Sequence, residues 1–164
     1  MKKEIKSIMR TKLLGDVPYV YRDLDSTDEI KDKKVKGVHA YCFCDNKLVI
    51  VYAEAKGTWT PAGGSVEEGE SVEYAVEREV HEETNMKVLK QQIIGYQEIF
   101  EPNRTVIQTR SICVVEPYGP FISDPDGDIT EIKLIDPKDY KQYFDWGEIG
   151  DHIMQRTLEI KSDF

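Results

Sequence analysis

The chain has 164 residues, 40% of them hydrophobic and 32% charged, the balance of an ordinary folded domain with one core. Thirty-one Asp and Glu against 22 Lys and Arg leave a formal charge of −9, the wrong sign for a sequence-independent binder of duplex nucleic acid. No apolar run reaches the ~18 residues of a membrane span, and 3 cysteines, an odd count, make no disulfide framework.

The opening MKKEIKSIMR lacks the apolar stretch of a secretory signal, so a cytoplasmic protein is expected. Residues 1–34 read as an N-terminal extension, either docked on the domain or serving a homodimer contact. Within it, Ile5, Ile8, Met9 and Leu13 suit one face of a short helix, and STDEIKDKK reads as an exposed connection. From residue 35 to 164 the pattern is that of one mixed α/β domain. VKGVHAYCF, Asp45-Asn46 and KLVIVYA predict a β-hairpin, and the Gly-rich GTWTPAGG then breaks the alternation. A helix follows, with Ser71 as N-cap, an end near Thr84 and Asn85 as the left-handed residue beyond it. KVLKQQIIGY, TVIQTRSICVV and ITEIKLI predict further strands, mainly antiparallel because hairpin-length connections dominate. Two helical pieces close the chain, PKDYKQYF and EIGDHIMQRTLEIK, the second with Ile149, Ile153, Met154 and Leu158 on one face.

The charge is concentrated. Residues 64–86 hold eight glutamates and one arginine, Arg78, a net −7 in one short stretch. On the helix, Val72, Ala75, Val76 and Val80 define the buried face, yet Glu79 and Glu83 lie in the same arc and Glu82 at its edge. Carboxylates aimed at a core are costly unless paired, protonated or metal-bound, and one arginine does not neutralise three. Hard oxygen donors at this spacing suit Mg²⁺ or Mn²⁺, although a helix end that simply meets solvent would also explain them. The preceding Gly63-Gly64 allows close backbone approach to a phosphate, and a tight turn explains it equally well. Phosphate cradle and carboxylate helix together suggest a diphosphate substrate.

These residues, GSVEEGESVEYAVEREVHEETNM, resemble the signature box of the Nudix hydrolases (MutT-like), G-x5-E-x7-R-E-U-x-E-E-x-G-U with U aliphatic. Gly64, Glu70, Arg78, Glu79, Val80, Glu82 and Glu83 fall on its fixed positions and Met86 on the last apolar one. Asn85 replaces the family's glycine, a small stability cost because Asn is the next-best left-handed residue. The resemblance implies an α/β/α sandwich with a mixed, mainly antiparallel sheet. It also implies metal-dependent hydrolysis of a phosphoanhydride in a nucleoside diphosphate linked to another moiety. Implied with it are Glu79, Glu82, Glu83 and the Gly63 backbone as ligands of Mg²⁺ or Mn²⁺, with Glu79 also a candidate base. Arg78 would orient the carboxylates, Glu70 would support the loop–helix junction, and Gly63 and Gly64 would meet a small nucleotide substrate. A Nudix-fold module that binds a nucleotide without turnover is the alternative.

Family members often recruit a further acid from outside the box. Glu131, at the loop's entry into a strand, ranks ahead of Asp126, Asp128, Glu98 and Glu101, though each also fits a turn or surface role. DPDGD is not a calcium loop, because Ile129 and Ile135 stand where Gly and Glu are required. Cys42 and Cys44 share a strand face as small buried groups, and His81 points away from the carboxylates. Tyr140, Tyr143, Phe144 and Trp146 suit packing of a terminal helix, whereas Trp59, just before the glycines, is a candidate substrate contact. Damaged nucleoside triphosphates, nucleotide sugars and RNA 5′ ends all remain open as substrates.

Overall fold

A computed structural model describes residues 2–164. The strands are β1 (Glu4–Thr11), β2 (Gly15–Asp23), β3 (Val35–Cys44), β4 (Lys47–Ala53), β5 (Thr58–Thr60), β6 (Ala62–Ser65), β7 (Met86–Glu101), β8 (Arg104–Pro117) and β9 (Ile129–Ile135). Helix α1 (Val72–Thr84) lies between β6 and β7, and α2 (Gly147–Ser162) ends the chain. All the strands join one sheet in the order β1-β2-β7-β8-β3-β4-β5, with β6 also on β3 and β9 on β4.

The central hairpin forms as its sequence predicts. Asp45 and Asn46 take φ of 48° and 66°, the left-handed pair that a two-residue turn between twisted strands requires. The pairings are antiparallel except β3 with β8, which run parallel. Alternation along β3 and β4 then sorts the core onto two faces. Val38, Ala40, Cys42, Val49 and Val51 pack against Ala75, Val76 and Val80 of α1. Tyr41, Phe43, Leu48 and Ile50 pack against Ile149, Ile153 and Met154 of α2. The result is the expected α/β/α sandwich. Cys42, Cys44 and Cys113 are all buried free thiols inside it.

The structure corrects three sequence expectations. Ile5, Ile8, Met9 and Leu13 are not on a helix: β1 and β2 form a hairpin whose second strand pairs with β7, so Ile5 is buried while Ile8 and Leu13 stay exposed. The STDEIKDKK connection is not wholly exposed, because a 3₁₀ turn (Thr27–Ile30), capped by Ser26, buries Ile30 beside Leu24, Ile93 and Ile107. On α2 the buried stripe continues through Thr157, leaving Leu158 exposed. The PKDYKQYF piece is a 3₁₀ turn (Pro137–Gln142), and the aromatics after it pack α2 onto the sheet, with Phe144 and Trp146 at 4.9 Å.

One arginine fastens α2 to the strands. Arg156 donates from Nε to the Ile94 carbonyl (2.9 Å) and from Nη2 to the Leu24 carbonyl (2.6 Å), both on fully buried residues. Beside it, His152 Nε2 meets buried Asp23 at 2.8 Å. Arg156→Met keeps most of the packing but strands the Leu24 carbonyl, while the Ile94 carbonyl still accepts the Leu24 N–H (2.8 Å), so urea denaturation should show a loss of about 1–2 kcal/mol with no change in the denaturant slope.

Candidate active site

Helix α1 starts where Ser71 Oγ accepts the Tyr74 N–H (3.1 Å) and ends at Asn85, with φ of 56°. Asn85 also gives its side-chain amide to the Pro120 carbonyl (3.0 Å), a contact that glycine could not make. Between these caps, Ala75, Val76 and Val80 face the sheet and carry Glu79 and Glu83 inward with them, each only 8% exposed.

Arg78 organises what lies around them. Its Nε and Nη2 grip both oxygens of Glu70 (2.6 and 2.9 Å), and Nη2 also donates to the Ser65 carbonyl (2.9 Å). Its Nη1 reaches Glu79 Oε1 (2.9 Å) and Glu82 Oε2 (3.3 Å). Glu70 in turn accepts the Glu67 N–H at 2.7 Å, which closes the loop before the helix. Bidentate pairing of this kind fixes direction as well as charge. It lowers the Glu70 carboxyl below its usual range and raises the Arg78 guanidinium.

The other carboxylates remain short of positive charge. Burial pushes Glu79 up to about 6, against the pull of Arg78. Burial pushes Glu83 up to about 8, opposed by the Gly63 N–H, which donates to its Oε1 at 2.9 Å, and reinforced by Glu79, Asp124 and Asp128. Glu82 is raised as well, first by burial, with Asp126 and Asp124 adding to it.

The loop before β9 therefore faces the helix through Asp124, Asp126 and Asp128. Asp124 is buried and committed to its own turn, accepting the N–H groups of Asp126 and Ile129 (both 3.0 Å), which leaves Asp126 and Asp128 exposed. Glu131 stands further along, exposed on β9 opposite Tyr52, and is not among the groups that raise the box carboxylates. Glu98 and Glu101 are taken up by Arg22 and Arg104.

The glycines serve the carboxylates. A methyl at Gly64 would collide with the Glu79 carboxylate, and one at Gly63 with the Val38 carbonyl and the His39 ring. Since the Gly63 N–H is given to Glu83, it is not turned outward as a phosphate cradle would need. Trp59 lies on the α2 side of the sheet, packed between Tyr52 (5.2 Å) and Tyr143 (6.0 Å) under Lys133, rather than beside the glutamates. Among the described residues no three acidic, histidine or cysteine side chains converge as a ready-made metal cluster. Glu79 and Glu82 lean on Arg78, and Glu83 on Gly63. Even so, the donors are hard oxygens carrying more negative charge than one guanidinium offsets, which fits Mg²⁺ or Mn²⁺.

Residues 33–156 match the family model described as NUDIX domain. The chain belongs to the Nudix family. A Bacillus subtilis pyrophosphohydrolase has a similar structure over 94% of this chain and 97% of its own, at TM-score 0.69 and 16% identity. A MutT structure from work on Aliivibrio salmonicida and Vibrio cholerae covers 77% of this chain and 98% of its own, at TM-score 0.57 and 22% identity. A C. elegans Ap4A hydrolase covers 79% and 100%, at TM-score 0.55 and 17% identity. No curated protein matches the sequence. At these identities the solved structures speak for the Nudix fold.

Sequence reasoning missed Arg110 and Gln108, which the structure places, with His39, on the α2 face of the sheet. A charged residue inside the otherwise apolar TVIQTRSICVV was the available signal.

The raised carboxyls have a consequence for stability. A carboxyl whose affinity for its proton rises on folding contributes stability that is complete below about pH 4.5 and is lost as pH climbs through its folded value. Metal-free protein should therefore lose melting temperature between about pH 5 and about pH 8, as Glu79 and then Glu83 ionise. Glu83→Gln should flatten the upper half of that profile in scanning calorimetry.

Proposed function

We propose that this Nudix hydrolase uses Mg²⁺ or Mn²⁺ to cleave a phosphoanhydride bond in a nucleoside diphosphate linked to another moiety. The observation that carries the reading is a surplus of carboxylates: buried Glu79 and Glu83 and half-buried Glu82 crowd one face of α1, where Arg78 reaches Glu79 and Glu82 and only the Gly63 N–H reaches Glu83. Glu79, Glu82 and Glu83, with the Gly63 backbone, would hold the ion. When bound it supplies charge neutralisation at the phosphate oxygens and acidifies water.

The remaining steps belong to the chain. Arg78, anchored through Glu70 and Ser65, keeps Glu79 and Glu82 on one side of the helix, so their positions do not have to be found during the reaction. Glu79 sits against Gly64 and is the candidate base for the attacking water. Water oxygen joins phosphorus, the anhydride bond breaks, and the proton passes to the base. Asp124, Asp126 and Asp128 add to the raised carboxyls of the box, and of these the exposed Asp126 and Asp128 are the candidates for a further acid beside Glu131.

A groove of about 510 Å³ leads away from Gly64, walled by Ser65, Val38, His39, Gln108 and Arg104, and suits the rest of a small nucleotide substrate. The cell compartment proposed is the cytoplasm, and no helix of the described residues is long and apolar enough to cross a membrane.

Phosphate release from nucleoside triphosphates, ADP-ribose, nucleotide sugars and dinucleoside polyphosphates, with and without Mg²⁺, tests the proposal. Glu82→Gln should lower metal-dependent turnover by about a hundredfold or more and leave the melting temperature unchanged or higher, since it relieves like-charge repulsion. Nucleotide binding with no turnover under any metal would instead support the binding-module reading.

A further inference from the structure

The α2 face of the sheet contains a second charge anomaly, opposite in sign to the first. Reading across the strands in register, Gly63 on β6 is paired with His39 on β3, His39 with Arg110 on β8, and Arg110 with Gly95 on β7. One step along, Gln108 is paired with Gln97. Side chains of this parity point to α2, where Tyr41 and Ile112 pack in the core, so a face expected to be apolar has a polar floor. Trp146 and Ile149 roof a cavity of about 300 Å³ over His39, Gln97, Gln108 and Arg110.

Arg110 is 3% exposed, and among the described residues no carboxylate pairs with it. Its contacts are the Thr109 carbonyl (3.1 Å) and the Gln108 side-chain oxygen (3.5 Å), while its Nε has no hydrogen-bond partner. His39 Nδ1 and the Tyr41 hydroxyl are likewise buried and unpartnered. The nearest acid in the same register row, Asp23, is already engaged by His152 and Arg156. A buried guanidinium without a counter-ion is among the costliest arrangements in a protein interior, and each unmet donor beside it adds to the cost. Arg110, His39 and Gln108 line one cavity, and a guanidinium fork is shaped for an oxyanion.

We propose that this cavity is an oxyanion subsite, in which Arg110 receives a phosphate or carboxylate group of the substrate remote from the bond that is cleaved. The cavity shares His39 and Gln108 with the groove that leads to Gly64, so one ligand can occupy both. As a statement about substrate, the inference rests on the reading of Glu79, Glu82 and Glu83 as the cleavage site. It narrows the substrate to a nucleoside diphosphate derivative carrying a further acidic group. Arg110 positions that group and takes no part in the bond changes.

The test uses ligand pairs that differ by one acidic group, ADP-ribose with its 2′-phosphate and UDP-glucose with UDP-glucuronate, together with inorganic phosphate alone. Binding is read by thermal shift in chelator, where no turnover occurs. The acidic member of at least one pair should raise the melting temperature well beyond its neutral partner, with an affinity ratio of about tenfold or more. Which pair responds separates a phosphate from a carboxylate. Arg110→Met should erase the difference and, by removing a buried unpaired charge, should not itself lower the melting temperature. Should that variant fail to fold, Arg110→Lys carries the test, with a reduced preference of the same sign expected and an unchanged one overturning the proposal.

Equal responses within both pairs would overturn it. So would a preference that survives Arg110→Met. The same pairs are then assayed with Mg²⁺. Discrimination in binding without turnover leaves the subsite standing and removes the hydrolase reading, whereas turnover without discrimination does the reverse.

Discussion

The site depends first on the Arg78 guanidinium. Four of its contacts run to carboxylate oxygens and one to a backbone carbonyl, and they join the loop before α1 to about one turn of the helix itself. Without this cation the glutamates would repel one another and the loop that carries Gly63 and Gly64 would lose its anchor. With it, Glu70 is fully neutralised while Glu79, Glu82 and Glu83 remain partly unsatisfied. That imbalance separates a structural ion pair from a site poised to take a further positive charge.

The sheet places two opposite imbalances back to back. On the α1 face carboxylates exceed cations, and on the α2 face Arg110 has no acid. Gly63 and His39, paired neighbours on β6 and β3, form the shared boundary, since Gly63 gives its N–H to Glu83 and its missing side chain leaves room for the His39 ring. A substrate that brings a divalent cation with its diphosphate to the α1 face, and a separate acidic group to the α2 face, would satisfy both. A protein group that satisfied either one would fill the place proposed for substrate.

Much of this was legible in the sequence because it is local. The hairpin turn at Asp45-Asn46, the Ser71 and Asn85 caps and the inward tilt of Glu79 and Glu83 follow from residues within a few positions of one another. What could not be read depends on distant partners. Ile5, Ile8, Met9 and Leu13 sit at helical spacing, but the pairing of β2 with β7 makes them part of a strand hairpin. Gly63 and Gly64 looked like a phosphate cradle because the reason for their missing side chains, contact with His39 and Glu79, lies on another strand and on the helix. Trp59 is near the glycines in sequence, but it packs with Tyr52 and Tyr143 on the face of the sheet opposite the glutamates. Arg110 reads as one polar residue in a strand until β3, β7 and α2 enclose it.

The single parallel pairing in the sheet has a kinetic meaning. Hairpins β1–β2, β3–β4 and β7–β8 close across turns of a few residues, whereas β3–β8, like the antiparallel β2–β7 and β4–β9, forms only after roughly sixty or more intervening residues have been gathered in. Loop closure of that length is the slow, entropically costly kind of contact, so the join between β3 and β8 belongs late in folding. His39 and Arg110 face each other across that join. A chain emerging from the ribosome can therefore build the helix that bears the glutamates well before it builds the floor beneath α2, and the two halves of the proposed substrate surface mature at different times.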